Sequence, residues 1–206
     1  MHEKTTLYQE TFEKNEEELI EKVWEEIAQR QEEQKKSEDK RVHRGFNSKS
    51  YGVFWGYIDI FENPDPYKVG LFATPKTYQV LIRFGGGASS ILSDENKKDP
   101  CSISIKVIDA PGTKKIVDDF NSHNFVFLNT SAFFVPNIVD FIKVIDYHMN
   151  DKHLKLLMYY LNPFAGHRFG HRIEQFRNLL SLCGQRLSPN LATMTYWSTT
   201  PYAFGK

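Results

Sequence analysis

Long apolar runs are missing from this chain: no stretch approaches the roughly 18 consecutive apolar residues of a membrane-spanning helix. The residues from His2 onward are charged, so neither a signal peptide nor a membrane span is expected, and the cytoplasm is the expected compartment. Cysteine is scarce. Cys101 and Cys183 stand far apart and form no Cys-x-x-Cys, which argues against a disulfide scaffold or a thiolate zinc site and fits a reducing compartment. Net charge is lacking too: 26 basic and 26 acidic residues cancel, leaving no nucleic-acid footprint and no polybasic membrane surface. A phosphate loop is absent, because Gly85-Gly86-Gly87 lacks the Gly-Lys-Ser/Thr ending and a following helix; it reads as a bend at a strand end. No internal repeat is found.

What the chain has is material for a core. Its 206 residues are 40% hydrophobic and 14% aromatic, with 16 Phe and 10 Tyr, enough for one large or two small globular domains. Leu19, Ile20, Val23, Trp24 and Ile27 recur at helical spacing and predict an amphipathic helix over about 15–34, packed through its Leu19, Val23, Trp24 and Ile27 face. A charged link follows to about Arg41. Aromatic and β-branched runs then predict strands at Val53 to Ile60, Tyr78 to Phe84, Ser102 to Ile108 and Phe125 to Leu128. Helical patterns follow around Val139 to Ile145, Asp151 to Leu161 and Arg172 to Leu182, and a short extended segment around Ala192 to Ser198. Strands first and helices afterwards predict an α+β fold with an antiparallel sheet or barrel. The expected organisation is an N-terminal helical arm over 1–40 and a second domain over 41–206.

Several segments, in order, resemble the catalase superfamily, especially its compact branch with the catalase-type allene oxide synthases. Arg44-Gly45-Phe46-Asn47-Ser48-Lys49, followed by Gly52, is similar to the family's Arg-x-x-His-x-Lys-Gly. Gly70-Leu71-Phe72, Pro75 and Val80-Leu81-Ile82-Arg83-Phe84 resemble its Arg-Phe strand, and Asp99-Pro100-Cys101-Ser102-Ile103-Ser104-Ile105-Lys106 its Asp-x-Arg-Gly-x-Ala-x-Lys. Phe125-Val126-Phe127-Leu128-Asn129, with Phe133-Phe134, is similar to a strand that ends in Asn before a Phe pair. Tyr196-Trp197-Ser198-Thr199-Thr200-Pro201-Tyr202-Ala203-Phe204-Gly205 resembles Tyr-x-Ser-x-x-Pro-Tyr-x-Phe-Gly. No one motif is specific; the five in register are. The resemblance covers about Arg44 to Lys206 and implies a catalase-like antiparallel β-barrel, partial in this chain.

The resemblance also implies a site. In such proteins a distal His takes a proton from peroxide and returns it to the leaving oxygen, the work of a base with pKa near the operating pH. By position, Arg44 and Arg83 match arginines that pair with haem propionates, Asn129 matches the distal Asn, and Phe133 and Phe134 match apolar pocket walls. Phe46 takes the place of a small apolar distal residue and would narrow the site. The departures are at the chemistry itself. Asn47 stands where the distal His belongs, Gly85 where its Ser partner belongs, and Cys101-Ser102 where the family has Arg-Gly. An amide does not titrate near neutrality, so Asn47 orients a ligand at most. A shifted register with His43 as the base is the alternative. The family ligates iron through Tyr in an Arg-x-x-x-Tyr helix, and no Arg-x-x-x-Tyr occurs here. The expectation is therefore a truncated, cleaved or split chain, or a half-barrel that associates with a missing half or with itself.

The implied function is that of a haem protein binding or acting on a peroxide or lipid hydroperoxide, an oxidoreductase of the peroxidase type if active, with little catalase activity. The rival class is a haem-free, catalase-fold binding or structural module. His167 and His171 are four apart, a spacing that binds metal on a helix, but Gly166 and Gly170 are expected to break that helix and no third ligand is evident, so no metal site is expected. Cys101 reads as a small buried residue rather than a nucleophile.

Overall fold

A computed structural model describes residues 12, 14–36, 42–44, 47–86, 100–112, 121–149, 152–162, 169–184 and 190–202. The chain divides into two units, Met1–Phe46 with Ala132–Cys183, and Asn47–Ser131 with Gly184–Lys206.

The second unit is built on a five-stranded antiparallel sheet in sequence order: β1 (Ser50–Ile60), β2 (Lys76–Gly86), β3 (Cys101–Ile108), β4 (Ser122–Leu128) and the short β5 (Trp197–Ser198). Side chains alternate along each strand, so the register sorts them into two faces. Ile58 and Ile60 of β1, Tyr78, Val80 and Ile82 of β2, Ile105 and Val107 of β3 and Phe125 of β4 build one apolar core. Leu71 and Phe72 of a 3-10 turn (Gly70–Phe72) join it, as does Ala110 after β3. The opposite face mixes Gln79, Arg83, Ser104, Lys106 and Asn124 with Val53, Trp55, Tyr57, Leu81 and Val126, so the sheet has one apolar and one mixed side.

The segment 196–202 finishes the β4 edge. Trp197 and Ser198 pair with Leu128 and Phe127, and the Thr199 N–H donates to the Val126 carbonyl at 3.1 Å. The Val126 N–H in turn donates to Tyr202 Oη at 3.0 Å. A phenol oxygen thus stands in for a carbonyl of the ladder. Among the described residues the sheet is open: β1 pairs only with β2 and β5 only with β4.

The first unit contains α1 (Glu16–Lys35), α2 (Ile138–Met149), α3 (His153–Leu161) and α4 (Phe169–Gly184). Asn137 caps α2, its Oδ1 accepting from the Asp140 N–H at 2.9 Å. Val135, Val144, Tyr159 and Tyr160 form the buried centre, with Phe133, Phe134, Phe141, Phe176 and Leu179 against them. α1 packs on α2. Leu19, Val23 and Ile27 are half-buried, but Trp24, expected in the packed face, is 67% exposed. The apolar stripe of α1 is wider than the surface it lies against. Among the described residues no helix is long and apolar enough to cross a membrane.

Candidate functional site

Antiparallel register brings the start of β1, the end of β2, the start of β3 and the end of β4 to one end of the sheet: Ser50 lies beside Gly85, Gly86 beside Cys101, and Ser102 beside Leu128. Asn47 and Asn129 flank this end in sequence. Asn47 has φ 51°, a left-handed turn that Asn tolerates better than most residues, and its backbone carbonyl is aimed at β2. Arg83 Nη2 donates to that carbonyl at 2.7 Å and to the Lys49 carbonyl at 3.1 Å. The Lys49 carbonyl also accepts from the Gly86 N–H at 3.0 Å. Arg83 therefore ties the turn before β1 to the end of β2. Its guanidinium lies over Gly85: a Cβ there would sit 2.5 Å from Nη1 and 3.1 Å from Ser102 Oγ. The space a Ser side chain would need is filled by Arg83.

Asn129 is fixed differently. Its side chain is buried, at 2% exposure. Its Oδ1 accepts from the Cys101 N–H at 3.0 Å, and its own N–H donates to the Cys101 carbonyl at 3.0 Å. The first bond settles which end of the amide is oxygen, because a backbone N–H cannot pair with an NH2 group. Nδ2 is thereby presented as a donor, and it has no partner among the described residues. A buried donor left unpaired costs about 1–3 kcal/mol.

Cys101 is fully buried and carries a second contact. Its Sγ lies 3.3 Å from Tyr196 Oη, and Tyr196 donates its hydroxyl proton to the Leu191 carbonyl at 3.0 Å. The tyrosine has one proton to give, so the thiol is the donor between them. Burial pushes the Tyr196 hydroxyl well above its ordinary pKa. Ser102 Oγ donates to the Gly85 carbonyl at 3.2 Å. The Cys101-Ser102 pair is thus built into the strand ends. Tyr196 was not singled out from sequence as a site-supporting residue, although it opens the last of the matched segments.

Arg44, Phe133 and Phe134 belong to the helical unit. Arg44 is exposed. Phe133 and Phe134 lie with ring centroids 4.6 Å apart and pack with Phe141 in the helical core. Phe46 lies outside the described residues, as does His167. His43 serves the end of α1: its N–H donates to Gln34 Oε1 at 2.8 Å, and its carbonyl accepts from Gln31 Nε2 at 3.3 Å. His123 lies edge-on to Phe125, at 4.5 Å between centroids. Gly170 does not break a helix: it sits in the first turn of α4, with His171 after it. Among the described residues no group of three or more His, Cys, Asp or Glu side chains is placed to hold a metal ion.

No family model matches this chain, and no curated protein or solved structure matches it.

Proposed function

We propose that the sheet unit is the distal side of a catalase-type haem site, altered so that it binds or positions a peroxide or hydroperoxide without efficient dismutation. On this reading the open sheet is part of a barrel that closes by association, and the protein works in the cytoplasm. The observation that carries the reading is the Asn129 amide: a buried donor, locked in orientation and without an acceptor among the described residues, at the sheet end where Asn47 and Arg83 also lie. Such a donor fits a ligand oxygen. The haem would supply a redox-active iron. Arg83 would hold one of its carboxylates, giving up a backbone carbonyl in exchange. Asn129 would donate to the bound oxygen ligand. Asn47 has no proton to take up or return, which removes the acid–base part of catalase chemistry.

A second reading has its own observation. Arg83 is engaged on two backbone carbonyls and fills the space over Gly85, as expected of a haem-free module in which the arginine is structural. Titration of the purified chain with haemin separates the two. The haem reading expects a saturable Soret band, with loose binding that gel filtration strips. It also expects Asn129→Asp, which keeps the acceptor for Cys101 but loses the donor, to weaken fluoride binding to that complex at least about tenfold. No Soret change at any haemin concentration overturns the haem reading and leaves the haem-free module.

A further inference from the structure

β1 is an edge strand that lacks the usual protection of an edge. Natural edges carry charges, proline or strong bulges that discourage pairing. Between Ser50 and Ile58 β1 has no charged residue and no proline, and its only irregularity lies at its start, between Ser50 and Gly52. Its side chains are exposed on both faces: Val53 59%, Phe54 53%, Trp55 66% and Tyr57 74%. An apolar strand exposed on both sides, with one backbone edge unpaired among the described residues, is shaped to receive another strand.

The sequence of β1 indicates which strand. Laid antiparallel against a second copy of itself about a two-fold axis at Trp55, the strand is complementary to itself. On the core-side face Gly52 meets Ile58 of the copy, and Phe54 meets Gly56, so each glycine is opposite a bulky side chain. Added bulk is accommodated at Gly56, where a Cβ would have only ordinary contacts, at 3.6 Å, with Val80 and Ile82. On the other face Trp55 meets Trp55, Val53 meets Tyr57, and Asp59, the strand's one charge, meets the Tyr51 hydroxyl. Cross-strand aromatic and β-branched pairs of this kind are what stabilise a sheet. A shift of the axis by one residue to Phe54 or Gly56 loses the glycine–bulky matching.

We propose that two copies of this chain join through their β1 edges, antiparallel and centred on Trp55, into one continuous ten-stranded sheet. The contact is isologous, as a two-fold dimer requires. It does not depend on what binds beside Asn129.

Sedimentation equilibrium of the full chain is expected to show a dimer. Trp55→Lys sets two lysines opposite each other across the axis and removes the central aromatic pair, and it should weaken dimerisation on the order of 100-fold. The exposed Trp24→Lys on α1 should leave the dimer unchanged. Register is tested by crosslinking. Directly opposed residues of antiparallel strands have Cα atoms about 4.5–5.5 Å apart, within disulfide range. Trp55→Cys should therefore form an intermolecular disulfide on mild oxidation, whereas Val53→Cys alone should not, and an equimolar mixture of Val53→Cys and Tyr57→Cys should. A monomer at all concentrations overturns the proposal. So does a dimer that Trp24→Lys dissociates and Trp55→Lys does not, or a dimer in which Trp55→Cys gives no crosslink.

Discussion

Gly85→Ala is the sharpest test of how the sheet end is held. The added methyl carbon would lie 2.5 Å from Arg83 Nη1 and 3.2 Å from Arg83 Cζ, so the guanidinium must move. A flexible side chain can usually swing away at little cost, but this one is held by hydrogen bonds to the Asn47 and Lys49 carbonyls. A hydrogen bond with a charged donor is worth about 1.5–3 kcal/mol. Losing one or both makes Gly85→Ala destabilising by about 2–4 kcal/mol, a large effect for a single methyl group. Arg83→Met removes the same bonds and should cost about 2–3 kcal/mol. The double variant is decisive. With Arg83 gone, the tightest contact left to the methyl is Ser102 Oγ at 3.1 Å, so the double variant should be little worse than Arg83→Met. The coupling energy is then about 2 kcal/mol, well outside the few tenths expected for independent sites. Urea unfolding followed by far-ultraviolet circular dichroism reads this directly: with a slope of about 2 kcal/mol per molar, each single change lowers the midpoint by about 1 M or more. A double variant whose midpoint falls by the sum of the singles, or a silent Gly85→Ala, refutes the clamp.

Oxygen evolution from hydrogen peroxide should be lower than that of an ordinary catalase by a factor on the order of 100 to 10,000, since Asn47 cannot act as a base; ordinary rates would sink the assignment of Asn47 to the distal position. Tyr202→Phe deprives the Val126 N–H of its acceptor and should cost about 1–3 kcal/mol, read as a lower urea midpoint; no change would mean that water replaces the hydroxyl. The raised Tyr196 pKa sets a pH dependence. The folded state holds the proton after the unfolded chain begins to lose it near pH 10, so this contribution is complete below about pH 10 and declines above it. Between pH 9 and 11.5 the parent should therefore lose stability more steeply than Tyr196→Phe, and parallel profiles would show that Tyr196 is not the group responsible.

The strands were legible because β1, β2, β3 and β4 carry runs of β-branched and aromatic residues, and because the core needs only their alternate positions. Their ends were less so. Lys76 and Thr77 join β2, and Ser122, His123 and Asn124 join β4, although none of them carries an apolar signal. Partner strands supply the hydrogen bonds that their own propensities do not. The segment around Ala192 read as extended but opens with a 3-10 turn at Leu191–Thr193, set by Asn190 Oδ1 accepting from the Ala192 N–H at 3.0 Å. Trp24 shows the limit of periodicity: helical spacing finds an apolar stripe, while the neighbouring helix decides how much of it is covered. At the site, the register of the segments that carry the resemblance was what brought Asn47, Arg83 and Asn129 together. The direction of Arg83 was not legible, because a long side chain finds its acceptors only once the left-handed turn at Asn47 exists.

That turn gives a single physical account of Asn47 and Gly85, the two positions that depart from the pattern the chain resembles. Read against the resemblance, Asn47 and Gly85 are separate departures, at the places of a base and of the hydroxyl that would orient it. In the structure they belong to one device. The left-handed conformation at residue 47 turns its carbonyl toward β2, and glycine at residue 85 leaves the room through which Arg83 reaches that carbonyl. A serine at residue 85 and the present position of Arg83 exclude each other. Histidine at residue 47 is compatible with the turn, since His is among the residues that adopt positive φ more readily. Serine at residue 85 is not compatible with the arginine. Asn47→His with Gly85→Ser therefore restores the residue types of a distal pair without restoring its surroundings, for the arginine displaced by the new serine also releases the turn that presents residue 47. On the proposed haem reading, a working pair would also need Arg83 to exchange those two carbonyls for carboxylate partners.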